Sequence, residues 1–190
     1  MLLLVGLYAV SMIRAVLVHG GVVYSVRLDA SAVHPLQVWR GDRKLAEYLL
    51  KAHHPWSLQV ADVDGDDVDE IAVGLIKPTH NLHFPHTTLF ILRFDGKDIV
   101  RKWAGSSMGR PLIEFGFSPK VKGKPQTLFT LEKRLDGRVA LSAHRWTGFG
   151  FEKIGAEKSW RNASALSFAG DRLILRADDR QVRLLWKELL

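Results

Sequence analysis

The sequence predicts an all-β fold, a β-propeller-like array of about four blade-like antiparallel sheets. Three observations carry this reading. Short alternating or β-branched runs recur from residue 22 to the end of the chain. Turn dipeptides separate them: Gly41-Asp42, Asp64-Gly65, Asp95-Gly96, Asp136-Gly137, Gly170-Asp171 and Asp178-Asp179. Third, runs ending in an aromatic residue repeat, with Trp39, Phe94, Trp146 and Trp186 lying 55, 52 and 40 residues apart. A period near 50, with about four strands in each unit, is that of a propeller blade.

In chain order, the runs fall at 22–27, 36–39, 58–60, 71–75, 89–94, 112–117, 127–131, 139–146, 172–175 and 182–186. Residues 44–51 are the only helix candidate, but their LAEYLL core suits an outer strand, and a strand is predicted. After the aromatic and its turn, the first three units continue into a further strand at 44–50, 99–103 and 151–154. Four units are countable, with the first and last incomplete. Such ends suit a ring closed by an N-terminal strand added to the last blade, and equally a piece of a larger propeller.

Composition narrows the chemistry. The 190 residues hold 47% hydrophobic and 25% charged side chains, as folded chains do. That length fits one domain or one array of small repeats. No cysteine is present. Disulfides, thiolate zinc sites, iron–sulfur clusters and cysteine nucleophiles are thereby excluded. Twenty-seven basic residues against 20 acidic ones give a formal charge of +7. The basic residues are scattered rather than interleaved with aromatics, which reads as a solvated surface and disfavours nucleic acid as a partner.

Residues 1–13 are almost wholly apolar, Arg14 interrupts, and 15–18 resume. The run is too short to span a bilayer, which takes about 20 residues, and no positive residue precedes it as in a signal peptide. Two readings stand: an export signal or membrane-anchor remnant over 1–18 before a repeat domain over 19–190, or a buried N-terminal strand or helix. The first is slightly favoured.

The strongest motif is Asp62-Val63-Asp64-Gly65-Asp66-Asp67-Val68-Asp69-Glu70, followed by Ile71-Ala72-Val73-Gly74. Carboxylates at its first, third, fifth and ninth positions, with a backbone carbonyl at the seventh, are how a short loop wraps a hard cation in oxygen. Asp67 stands at the sixth, where the sharp turn usually takes glycine. The competing reading is an acidic hairpin whose aspartates satisfy turn amides.

This stretch, D-x-D-G-D-x-x-x-E-I-A-V-G, resembles the calcium loop and following strand of FG-GAP/VCBS-type propeller repeats, shared by integrin α-chain heads and many bacterial surface proteins. The resemblance spans roughly residues 36–187, and only residues 62–74 are motif-grade. It implies that Asp62, Asp64, Asp66 and Glu70 supply side-chain oxygens and Val68 its carbonyl to one structural Ca2+. The family more often has glycine where Asp67 stands and, in many members, aspartate where Glu70 stands. Sliding the motif along by 56 residues puts Ser118 on Asp62, Lys120 on Asp64, Lys122 on Asp66, Gly123 on Asp67 and Gln126 on Glu70. Two lysines there exclude a divalent cation.

Other motifs are weaker. Gly105-Ser106-Ser107-Met108-Gly109 matches a nucleophile elbow, but Arg110-Pro111 and another strand follow where that chemistry needs a helix. An inter-blade loop is predicted instead. Arg40-Gly41-Asp42 falls on a hairpin turn, and Asn162-Ala163-Ser164 is a glycosylation sequon. His80, His83 and His86, with His53-His54, could gather zinc or copper, but a solvated loop is favoured. The repeated tryptophans read as blade packing. The functional expectation is a non-enzymatic binding or scaffold module for a protein or glycan ligand, exported, surface-associated or membrane-anchored through its N-terminus. A cytoplasmic location is the alternative. So is an enzyme or carbohydrate-processing domain with its site on the axis loops.

Overall fold

The computed structural model describes residues 12–29, 31–50, 53–105 and 109–190. Four antiparallel sheets form a four-bladed β-propeller, each sheet a meander in chain order. Blade one holds β1 (Ile13–His19), β2 (Val22–Leu28), β3 (Leu36–Arg40) and β4 (Arg43–Tyr48). Blade two holds β5 (His54–Ala61), β6 (Glu70–Lys77), β7 (His86–Phe94) and β8 (Ile99–Trp103). Blade three holds β9 (Leu112–Phe117), β10 (Leu128–Lys133), β11 (Val139–Trp146) and β12 (Phe151–Trp160). Blade four has three strands, β13 (Ala163–Ala169), β14 (Arg172–Ala177) and β15 (Arg180–Leu185), then a 3-10 turn over Trp186–Leu189. The first strands of successive blades meet, β1 against β5 and β9 against β13, so they lie innermost.

The predicted all-β array and its four units are thus present, and 44–51 supplies a strand, β4. Two expectations change. Blade one is complete, because Ile13–His19 pairs with β2 instead of finishing the last blade. Only the fourth unit lacks a strand among the described residues. The apolar N-terminal stretch therefore divides: its second part is β1, with Leu17 fully buried, and residues 1–11 lie outside the described residues. β13 is a strand without a sequence signal. Ala165 takes φ 58° and the pairing slips between Ser164 and Ser167, so a bulge breaks the alternation.

Three apolar cores separate the blades. Between blades one and two, Leu17, Val26, Leu28 and Val38 meet Ile71, Val73, Leu92 and Phe94. Leu58 and Val60 pair with Val73 and Ile71 and share that face, as the pleat predicts. Between blades two and three lie Ala72, Ile91, Trp103, Phe115, Leu128 and Trp146; between three and four lie Phe129, Leu131, Leu173, Leu175 and Trp186. Trp103, Trp146 and Trp186 are packing residues, the first two edge-on to Phe151 at 5.4 and 5.2 Å, whereas Trp39 is half-buried with the Arg27 guanidinium 4.2 Å over its ring.

Two measurements check this packing. Phe115 is fully buried against Trp56 at 5.6 Å, so Phe115→Ala is expected to cost about 3–5 kcal/mol in urea denaturation. On blade three, burial pushes the Glu157 carboxyl up, but hydrogen bonds from Lys153, Arg110 and Arg134 outweigh it and hold its pKa at about 2, against the ordinary 4.5. A depressed carboxylate stabilises the fold above its unfolded value and loses that contribution as pH falls. Between pH 4.5 and about 2, the parent should therefore lose stability more steeply than Glu157→Gln.

Candidate metal centre

The acidic run joins β5 to β6, the innermost and second strands of blade two. Its first residue organises the turn. Asp62 is fully buried, and its two oxygens accept hydrogen bonds from the Gly65 and Asp67 amides at 2.7 and 2.9 Å. Asp67 sits at φ 63°, the left-handed conformation that an aspartate tolerates. Gly65 takes φ 79°, and a Cβ there would also stand 2.7 Å from Pro125.

Three of the four predicted carboxylates converge. Asp62, Asp64 and Glu70 each bring one oxygen within 4.8 Å of the other two. Asp66 does not join them: one oxygen caps the Val68 amide at 2.9 Å and the other pairs with Arg93 at 3.0 Å. Val68 therefore enters the loop's bonding through its amide. One oxygen of Asp64, Oδ1, is buried without a partner.

Sequence reasoning missed the cations. Lys102 Nζ, from the outer strand β8, bonds both Asp64 and Glu70, the latter at 2.6 Å. Lys120 reaches over from the β9–β10 loop of blade three to Asp69 at 2.6 Å and to Asp62 at 3.9 Å. That lysine is the one the motif alignment places on Asp64. The alignment holds in the backbone too, since Gly123 takes φ 65° where Asp67 takes 63°. The two loops clasp: Gly123 N–H bonds Asp67 at 2.9 Å, while Asp62 and Gln126 exchange hydrogen bonds at 2.8 Å. Asp69 was also missed. It accepts the Val18 amide of blade one at 3.1 Å as well as Lys120 of blade three, so one carboxylate ties three blades.

Burial pushes the Glu70 carboxyl above its ordinary range despite the Lys102 bond, and likewise raises Asp62 against its loop amides. For Lys102, burial works against the charge, but Asp64 and Glu70 overcome it and hold the ammonium pKa up. Six carboxylates thus face three ion-paired cations across residues 62–70. The surplus is negative and oxygen-rich, which suits a hard divalent cation.

The other candidates are placed as follows. His80 and His83 are exposed, whereas His86 is buried and bonds the Phe84 carbonyl at 2.9 Å. Residues 106–108 of the serine motif lie outside the described residues, and its flanks connect β8 to β9, an inter-blade loop. A second polar constellation lies within blade three, where Thr130 and His144 converge on Glu132 Oε1 at 2.7 and 3.1 Å. All three are buried and belong to β10 and β11, so their bonds tie the two middle strands of that blade, and Arg110 stands 3.7 Å from Glu132. Fold and site together define a four-bladed β-propeller with one acid-rich, lysine-clasped loop. No family model, curated protein or solved structure matches the chain.

Because Glu70 has no exposed surface, removing its cation leaves a buried charge uncompensated. Lys102→Met is expected to lower stability by about 3–5 kcal/mol in calcium-free buffer, read by chemical denaturation.

Proposed function

We propose that the chain is a non-enzymatic binding or scaffold module of the FG-GAP/VCBS propeller type, whose loop 62–70 is stiffened by one calcium ion. The observation that carries this is the convergence of Asp62, Asp64 and Glu70 oxygens within 4.8 Å. The unpartnered Asp64 Oδ1 beside them supports it. Calcium takes six to eight oxygen ligands in flexible geometry, and these carboxylates supply several at once. It shares Asp64 and Glu70 with Lys102, so the lysine competes with the ion. Magnesium fits less well, because it demands a tighter octahedron.

The module presents a protein or glycan ligand with a rigid scaffold. It is exported or surface-associated, a reading that the apolar N-terminal stretch 1–18 supports. Among the described residues no helix is long and apolar enough to cross a membrane.

Calcium should raise the melting temperature and chelator should reverse the rise; Asp64→Asn should abolish both effects. Lys102→Met, by removing the competitor, should bind calcium more tightly than the parent in calorimetry. A parent melting point indifferent to calcium would leave the loop a lysine-clasped acidic turn. Screening glycan, peptide and hydrolase-substrate panels addresses the rest: turnover lost on a single substitution would replace the binding reading with an enzymatic one.

A further inference from the structure

We infer that the free edge of blade four is a strand-docking site for an extended polypeptide segment in which apolar and acidic residues alternate. Among the described residues, blades one to three each end in a fourth strand, whereas blade four stops at β15. The hairpin before β15 sets which backbone groups are free. Asp178 and Asp179 take φ 44° and 65°, the two positive values of a two-residue I′ turn, which makes Ala177 and Arg180 a hydrogen-bonded pair. The amides of Arg180, Val182 and Leu184 therefore turn toward β14, in step with the Trp186 amide on the Asp171 carbonyl at 3.2 Å. Those of Gln181, Arg183 and Leu185 turn outward, and all three residues are exposed.

The side chains define what fits there. On the face toward blade three, Val182 and Leu184 are partly buried beside Leu173 and Leu175, so an added strand must continue that face with apolar residues. On the opposite face, the register places Arg172, Arg176 and Arg183 together, exposed. Among the described residues no carboxylate lies within ion-pair distance of any of them. An added strand presents its side chains to these faces in alternation. One face asks for apolar groups and the other for carboxylates, while the edge amides supply the main-chain bonds of strand addition. A second copy pairing β15 with β15 would bring arginine against arginine, which repels.

The inference rests on the binding-module reading. The probe is a labelled ten-residue peptide of alternating Val and Glu, titrated into the full chain by fluorescence anisotropy. It is expected to bind, to weaken with salt, and to lose at least tenfold in affinity when methylated on alternate backbone nitrogens. A Val–Lys peptide should not bind. Arg183→Ala should weaken binding, and Arg183→Pro, which removes one outward amide, should abolish it with the melting point close to the parent's. The N-methylated peptide keeps the test valid if that variant misfolds. Equal binding of the Val–Lys or methylated peptide, or no binding at all, overturns the inference. So does an unliganded dimer that Arg183→Pro dissociates, which would make a second copy the occupant. Binding that appears only after residues 1–11 are removed would make that segment the occupant, and overturns it too. A chain that turns over a panel substrate but still binds the peptide loses the module reading and keeps this edge.

Discussion

Burial of Glu70 is the constraint on which the architecture around the loop depends. A carboxylate with no exposed surface must find a cation, because an isolated buried charge costs several kcal/mol. Among the described residues, the cation that reaches it is Lys102, on the outer strand of the same blade. Placing that ammonium draws β8 over the loop and gives Asp64 its partner as well. The same requirement operates at Asp69, which is met from blade one by the Val18 amide and from blade three by Lys120. Charge neutralisation, rather than apolar packing alone, thus sets where three blades meet.

The lysine of blade three gives the repeat a division of labour. Two loops at equivalent positions share a backbone course, left-handed at Asp67 and at Gly123, yet carry opposite charge. Had both been acidic, they would repel where they touch. Had the second been neutral, Asp62 and Asp69 would lack their countercharge. One loop offers oxygens and its neighbour offers an ammonium, and hydrogen bonds between Asp62 and Gln126 set their register. This geometry also explains why an ion taken up by the first loop would act on more than one blade.

Packing follows a gradient along the array. Blades two and three are covered on both faces, and their middle strands β6, β10 and β11 are buried almost throughout. Blades one and four each bury one face. Val16 and Val23 remain 64% and 62% exposed on the outer face of blade one, while blade four turns arginines outward. The end blades are therefore where the molecule has surface to offer, and the middle blades are where its stability resides.

What the sequence determined by itself is what depends on local chemistry. Alternation and turn residues marked most strands, the spacing of Trp39, Phe94 and Trp146 marked the repeat, and the order of acids in residues 62–70 marked the loop and the three oxygens that converge. These are legible because pleat and turn geometry act over a few residues. Where local patterning was interrupted, the signal weakened: the bulge at Ala165 hid β13, and the apolar run before Arg14 left β1 as one of two readings. The tertiary structure alone decided that Lys102, 32 residues beyond Glu70, and Lys120, 51 beyond Asp69, would neutralise the loop. It also decided that Asp66 would turn to Arg93 instead of joining the cluster. A salt bridge has no sequence period, since any cation that folding brings within about 4 Å can serve, and only the arrangement of blades selects which one does.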